Sequence, residues 1–235
     1  MTDLAPHTTL GDIVTSQPEA ARVLERFGLD YCCGGTATLD AACADRGVDQ
    51  AEVQAALGEL GDPAPADWAR MSPATLVDHL EATHHTYLHV ELERLHRLAD
   101  KVEAVHGDRH PELADIRSTF AHLRADLEPH LMKEERVLFP MIRELATATE
   151  MPDFHCGTLR NPISVMLGEH DRAGELLAQL RSLTSDYTPP ADGCASYGAL
   201  FDGLEWLEAD THLHVHKENN LLFPAVMAME NARSV

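Results

Sequence analysis

Two eleven-residue stretches constrain this sequence most. "HLMKEERVLFP" begins at His130 and "HVHKENNLLFP" at His214, and both read H-x-x-K-E-x-x-x-L-F-P. Each sets a histidine four residues before a glutamate, His130 with Glu134 and His214 with Glu218. At that spacing two side chains leave the same face of a helix, one turn apart. A weaker repeat precedes each copy. "HHTYLHVELERL" aligns with "EHDRAGELLAQL" when His85 is set on His170, which superposes Leu92 on Leu177 and Leu95 on Leu180. His130 follows His85 by 45 residues, and His214 follows His170 by 44. Such spacing reads as two helical hairpins related by a pseudo-twofold axis, each giving one His and then one His-x-x-x-Glu.

The punctuation supports helices throughout. Ser72-Pro73, a cap followed by proline at the first helical position, opens a helix that runs to about Val105. A second is expected from about Pro111 to Leu145. After the loop 146–160, Asn161-Pro162 opens a third, which lasts to about Ser185. The breaker "SDYTPPADG" separates it from a fourth, from about Cys194 to Met229. Residues 1–60 read as short helices: one capped by Ser16 and stopped at Gly28, one ending at Gly47, and one opened by the capping-box pair Asp49 and Glu52 and closed by Gly61. Strand signals are absent. The expectation is an all-α chain: a small helical domain at 1–65, a linker at 66–72, and an up-down-up-down four-helix bundle at 73–235.

Composition narrows the partners. Of 235 residues, 44% are apolar but only 5% aromatic, and the formal net charge is −21. That charge repels nucleic acid and anionic membranes. No apolar run approaches the roughly 20 residues that span a bilayer, and the opening "MTDLAPHTTLGDIV" lacks the marks of a signal peptide. A cytoplasmic protein with reduced thiols is expected. Fifteen histidines are the first compositional sign of a metal.

If the bundle closes, His85, His130, Glu134, His170, His214 and Glu218 converge. Imidazole and carboxylate donors suit iron, with manganese as the alternative, and zinc is disfavoured because no cysteine belongs to the set. Two octahedral metals need about twelve donor positions; the six side chains, with both glutamates bridging, supply about eight, and a bridging oxide or hydroxide adds about two. About one position per metal then stays open for a small ligand such as O₂ or NO. Lys133 and Lys217 read as solvated. His84, His89, His96, His212 and His216 point elsewhere on the helical wheel, and His122 lies close to the ligand face. Pro140 and Pro224 bend or end the metal-bearing segments.

"FGLDYCCGG", residues 27–35, poses a separate question. Neighbouring cysteines close only a strained ring, so Cys32 and Cys33 are expected as free thiols. Gly34 and Gly35 are expected to leave the turn bare and mobile. One thiol could meet a helix N-terminus, which would lower its pKa. Cys43, Cys156 and Cys194 lack such company and read as structural or incidental.

The pattern H…HxxxE…H…HxxxE on four helices resembles the hemerythrin-like di-iron domains. Ferritin-like proteins would show Glu-x-x-His pairs instead. With "GLDYCCGG", "MKEERVLFPMI", "NPISVMLGEHDRAGELL" and "HKENNLLFP" together, residues 10–230 resemble the repair-of-iron-centres family, the di-iron proteins that repair iron-sulfur clusters. The resemblance implies two irons, one bound by His85 and His214, the other by His130 and His170, with Glu134 and Glu218 bridging. It implies that Cys32 and Cys33 are the family's paired cysteines, with a thiol-transfer or redox role. It also implies that the clients are iron-sulfur proteins damaged by nitrosative or oxidative stress, served with iron and an electron donor not yet identified. Two other functions fit the same residues: an enzyme reducing NO to N₂O, and a carrier or sensor of O₂ or NO. The chain is expected to act as a monomer or homodimer.

Overall fold

A computed structural model describes residues 8–61 and 64–233. Cα proximity divides the chain into two units. The first comprises Met1–His79, Ile142–Asp153 and His212–Val235; the second comprises Leu80–Met141 and Phe154–Thr211. Among the described residues all regular structure is helical, with one isolated antiparallel bridge between Thr9 and Thr38. No described helix is long and apolar enough to cross a membrane.

The second unit is built on long helices. Its first π-helical turn, Glu81–His85, follows in sequence the helix Pro73–Leu80 (α5), which lies in the first unit up to His79, and leads into Thr86–His106 (α6). Glu112–Lys133 (α7), Arg160–Leu183 (α9) and Ala195–Lys217 (α10) follow, α10 passing into the first unit at His212; Phe139–Thr147 (α8) continues α7 beyond a second π turn at Glu134–Leu138 and passes into the first unit at Ile142. Leu88, Leu92, Leu95, Ala99 and Val102 recur at alternating steps of four and three along α6. That rhythm keeps one stripe inward. Leu113, Ile116, Phe120, Leu123 and Leu127 do the same on α7, and Leu176, Leu177 and Leu180 on α9 meet Tyr197, Leu200, Phe201 and Leu204 of α10. Each fully buried leucine contributes roughly 1.5–3 kcal/mol. Gly203 is required where α10 approaches α6: a Cβ there would lie 2.5 Å from Leu95 Cδ2. Ser72 starts this run as expected, its Oγ accepting from Thr75 N at 3.3 Å.

The first unit gathers short helices Leu10–Ser16 (α1), Ala20–Arg26 (α2), Leu39–Arg46 (α3) and Gln50–Gly58 (α4) around Leu10, Val14, Leu24, Leu29, Tyr31 and Val53. Asp49 caps α4, accepting from Ala51 N at 2.9 Å. Gly28 and Gly47 end α2 and α3 at φ +65° and +66°. Ser16 is not a cap. It closes α1, a helix that the sequence reading did not delimit, and its hydroxyl donates back to the Ile13 carbonyl at 3.0 Å. The stretch expected as linker folds as a 3-10 turn, Asp67–Arg70, that buries Trp68.

The prolines after the ligand motifs do not end their helices. Pro140 lies in α8, and Pro224 in the helix Phe223–Arg233 (α11), which follows a third π turn at Glu218–Leu222. Proline withholds the N–H of a regular helical bond. The preceding π turn shifts the bonding pattern by one residue and lets the helix continue.

Candidate metal centre

Three of the six candidate ligands sit where helical winding changes. His85 is the last residue of its π turn, while Glu134 and Glu218 are the first of theirs. π turns recur at functional sites because they re-aim side chains within a helix.

Within the second unit, Glu134 is fully buried, with 0% of its surface exposed, and its Oε2 faces two imidazoles. His85 Nε2 lies 3.5 Å away and His130 Nε2 3.4 Å. His170 Nε2 stands 3.3 Å from His130 Nε2, and both rings are buried. Ligand atoms of His130, Glu134 and His170 all fall within 4.8 Å of one another. Separations of 3.3–3.5 Å suit atoms that share a cation, each about 2.1 Å from it.

The outer nitrogens settle the tautomers. His130 Nδ1 is 2.9 Å from Glu169 Oε2, and His85 Nδ1 is 3.0 Å from Glu135 Oε1. An ionised carboxylate only accepts, so each Nδ1 carries the proton and each Nε2 offers its lone pair inward. Burial alone would raise Glu135 and Glu169. For Glu135, the bonds from His89 and His85 outweigh it, and for Glu169 those from Lys133 and His130 do; both carboxyls end below their ordinary range. A buried donor set of imidazole nitrogens and a carboxylate fits a divalent iron-type cation.

The first unit holds the other predicted ligands. His214 Nε2 and Glu218 Oε1 are 3.3 Å apart, and both residues are buried. Their neighbours are not the surplus that the helical wheel implied. His216 is fully buried; its Nε2 lies 3.2 Å from Thr15 Oγ1 and its Nδ1 3.4 Å from the Tyr31 carbonyl. Burial pushes its pKa down to about 4. Lys217, expected in solvent, is buried with Nζ 3.0 Å from His79 Nε2 and 5.1 Å from the Trp68 ring centroid. His212 pairs with Glu25 at 3.4 Å. Lys133 keeps partial exposure and pairs with Glu169.

The Cys32–Cys33 turn belongs to this unit too. Both cysteines are free, with sulfurs 4.0 Å apart. Asp30 organises the turn: its Oδ1 accepts from the amides of Cys32 at 3.0 Å and Cys33 at 2.9 Å, and its Oδ2 accepts from Gly34 N at 2.9 Å. The Cys32 thiol donates to Asp30 Oδ1 at 3.2 Å. The expected helix N-terminus is not there, since α3 begins only at Leu39. The hydrogen bond with Cys33, then burial, then the Asp30 charge instead push the Cys32 thiol well up. Cys33 is the more open of the two. Ligand atoms of Asp30, Cys32 and Cys33 lie within 4.8 Å of one another.

Nor is the double glycine slack. A Cβ on Gly35 would lie 2.4 Å from Asn220 Oδ1 and 2.5 Å from the Tyr31 carbonyl. Asn220 Nδ2 donates to the Cys32 carbonyl at 3.0 Å, and Asn219 Nδ2 to the same oxygen at 3.4 Å. The turn is thus fastened to the residues immediately after Glu218.

The helices, the paired His-x-x-x-Glu motifs and the buried ligand groups define a hemerythrin-like cation-binding protein. Residues 76–226 match the hemerythrin HHE cation binding domain, and residues 6–61 match a domain of unknown function, DUF542. The iron-sulfur cluster repair protein YtfE of Enterobacter sp. (strain 638) is 36% identical over 222 residues, 94% of this chain and 97% of that protein. A probable iron-sulfur cluster repair protein of Haemophilus influenzae is also 36% identical, over 93% of this chain and 96% of its own length. The chain belongs to this family of hemerythrin-domain iron-sulfur cluster repair proteins.

Proposed function

We propose that the protein restores iron-sulfur clusters damaged by nitrosative or oxidative stress, and that it does so in the cytoplasm as the donor of the replacement iron. The residues that would hold the metal are the four imidazoles His85, His130, His170 and His214 and the two carboxylates Glu134 and Glu218, a donor set sufficient for two irons. Manganese fits the same donors less specifically. The observation that carries the reading is Glu134, a fully buried carboxylate set between His85 and His130 at 3.5 and 3.4 Å. The names of the relatives supply the reaction class.

When bound, the metal pair supplies labile iron and open positions for small oxygen or nitrogen ligands. The chain's own residues do the rest. Glu135 and Glu169 hold the protons of His85 and His130 outward, which keeps the inner nitrogens basic. Imidazole and carboxylate grip ferrous iron less firmly than thiolates would, which suits a site that must give its metal up. The more open Cys33 is the group that meets metal or client outside the helices. The Cys-Cys segment at 1–65 and the ligand-bearing helices at 73–235 act as the two domains of this process.

The test loads the protein with isotopically labelled iron and mixes it with a nitrosylated cluster protein and a thiol reductant. Label should appear in the restored cluster. Retention of the label in this chain would overturn the donor role, and repeated conversion of NO to N₂O would identify an NO reductase instead. Metal analysis with Mössbauer spectroscopy should find two coupled irons per chain, and a single zinc would refute the centre itself.

A further inference from the structure

Cys194, read from sequence as incidental, does not stand alone. It immediately precedes Ala195, the first residue of α10, and its side chain is exposed. His106 at the end of α6 is 95% buried (5% exposed), and its Nε2 lies 3.1 Å from Cys194 Sγ. Arg109 Nη2 is 3.2 Å from the other ring nitrogen, Nδ1. A guanidinium only donates, so His106 Nδ1 must accept and the ring proton sits on Nε2. Nε2 therefore donates to the sulfur, which becomes the acceptor that a thiolate is. Asp192 fixes the arginine, accepting from Arg109 Nη1 at 3.0 Å. The result is an ordered chain from Asp192 through Arg109 and His106 to Cys194.

The sulfur also meets the N-terminus of a 23-residue helix. The hydrogen bond from His106, and then the amides of Tyr197 and Ser196, pull the thiol down to about 7. Other polar groups around the pair are His110, whose nitrogens face Glu112 and Asp192 at 3.1 Å each, and Lys101, which donates to Ser196 Oγ at 3.1 Å. Tyr197 packs edge-on against His106, with ring centroids 5.5 Å apart. His85 is 21 residues back along the same helical run, roughly 30 Å at about 1.5 Å per residue. This thiol is remote from the ligands in the second unit.

We propose that Cys194 is a nucleophilic thiol site that takes up low-molecular-weight disulfides by thiol–disulfide exchange. The Cys194 thiolate attacks one sulfur of the disulfide, a new Sγ–S bond forms, and the S–S bond breaks with its electron pair. The departing thiolate takes a proton from water, and no further oxidant enters. His106 positions the sulfur and favours its anionic form, and Asp192 acts through Arg109.

The experiment incubates the full chain with oxidised glutathione at pH 7 and maps adducts by peptide mass spectrometry. Cys194 should carry the first mixed disulfide and form it at least fivefold faster than Cys33 or Cys156. His106→Gln should slow that adduct at least fivefold while leaving helical circular dichroism and the rate at Cys33 unchanged. Arg109→Gln, which frees the tautomer without touching the sulfur, should slow it by a smaller factor. Equal rates at the three cysteines, or an unchanged rate in His106→Gln, would overturn the proposal. None of these readouts depends on bound iron.

Discussion

Asn220 donates its side-chain amide to the backbone carbonyl of Cys32 at 3.0 Å, across 188 residues of sequence. The same amide lies 3.3 Å from the Tyr31 carbonyl, so one side chain two positions past Glu218 fastens the cysteine turn. Replacing it with alanine removes the shorter bond to each carbonyl and leaves only the 3.4 Å contacts from Asn219 and His216, at a cost of about 1 kcal/mol. Asn220→Ala should keep its metal, lower the urea midpoint and expose the first sixty residues to protease. If cluster repair persists undiminished in that variant, the tether has no part in the reaction.

Adjacent glutamates should behave differently. Glu134→Ala removes a proposed ligand and should abolish metal loading, measured by elemental analysis on folded protein. Glu135→Gln keeps every proposed ligand but weakens the orientation of His85, so the variant should bind iron about 10- to 100-fold more weakly. Equal losses in the two variants would contradict the division between ligand and orienting group.

The two neighbouring thiols are unequal. Cys32 is buried and its thiol is pushed up, whereas Cys33 is partly open. Of this pair, Cys33 should be labelled before Cys32 by iodoacetamide at neutral pH. Cys33→Ala should retain iron yet lose repair, whereas Cys32→Ala should chiefly lower stability. Preferential labelling of Cys32 would reverse the assignment.

A stabilising change is also predicted. Ser185, Asp186 and Tyr187 adopt consecutive left-handed conformations, with φ of 50°, 54° and 56°. Each such residue costs roughly 1–2 kcal/mol when it carries a Cβ. Burial of Tyr187 and the Arg181 guanidinium 5.1 Å from its ring centroid hold the turn in place. Ser185→Gly relieves the strain without touching either contact, and should raise stability by about 1 kcal/mol in urea unfolding.

What the sequence made legible was whatever repeats along one helix. His130 with Glu134 and His214 with Glu218 share a turn, so spacing alone exposes them, and His85 and His170 follow from the alignment of the hairpins. Glu135 and Glu169 stayed hidden because each serves a histidine on a different helix, 50 and 39 residues away. Lys217 looked solvated because a helical wheel does not show that Trp68 and His79 cover it. The His106–Cys194 pair spans 88 residues, and nothing in the sequence around that thiol announces the meeting. The left-handed run at 185–187 has no glycine to announce it.

The π turns at Glu81–His85, Glu134–Leu138 and Glu218–Leu222 carry a last consequence. Each amounts to one additional residue wound into a helix, so the stripes before and after it are out of phase by about 100°. Excising a single residue there would leave every motif nearly intact to the eye yet rotate the whole downstream segment, including the Asn219 and Asn220 amides beyond Glu218. In these helices the count of residues through each π turn sets the phase of everything after it, and a one-residue deletion would be more disruptive than most substitutions.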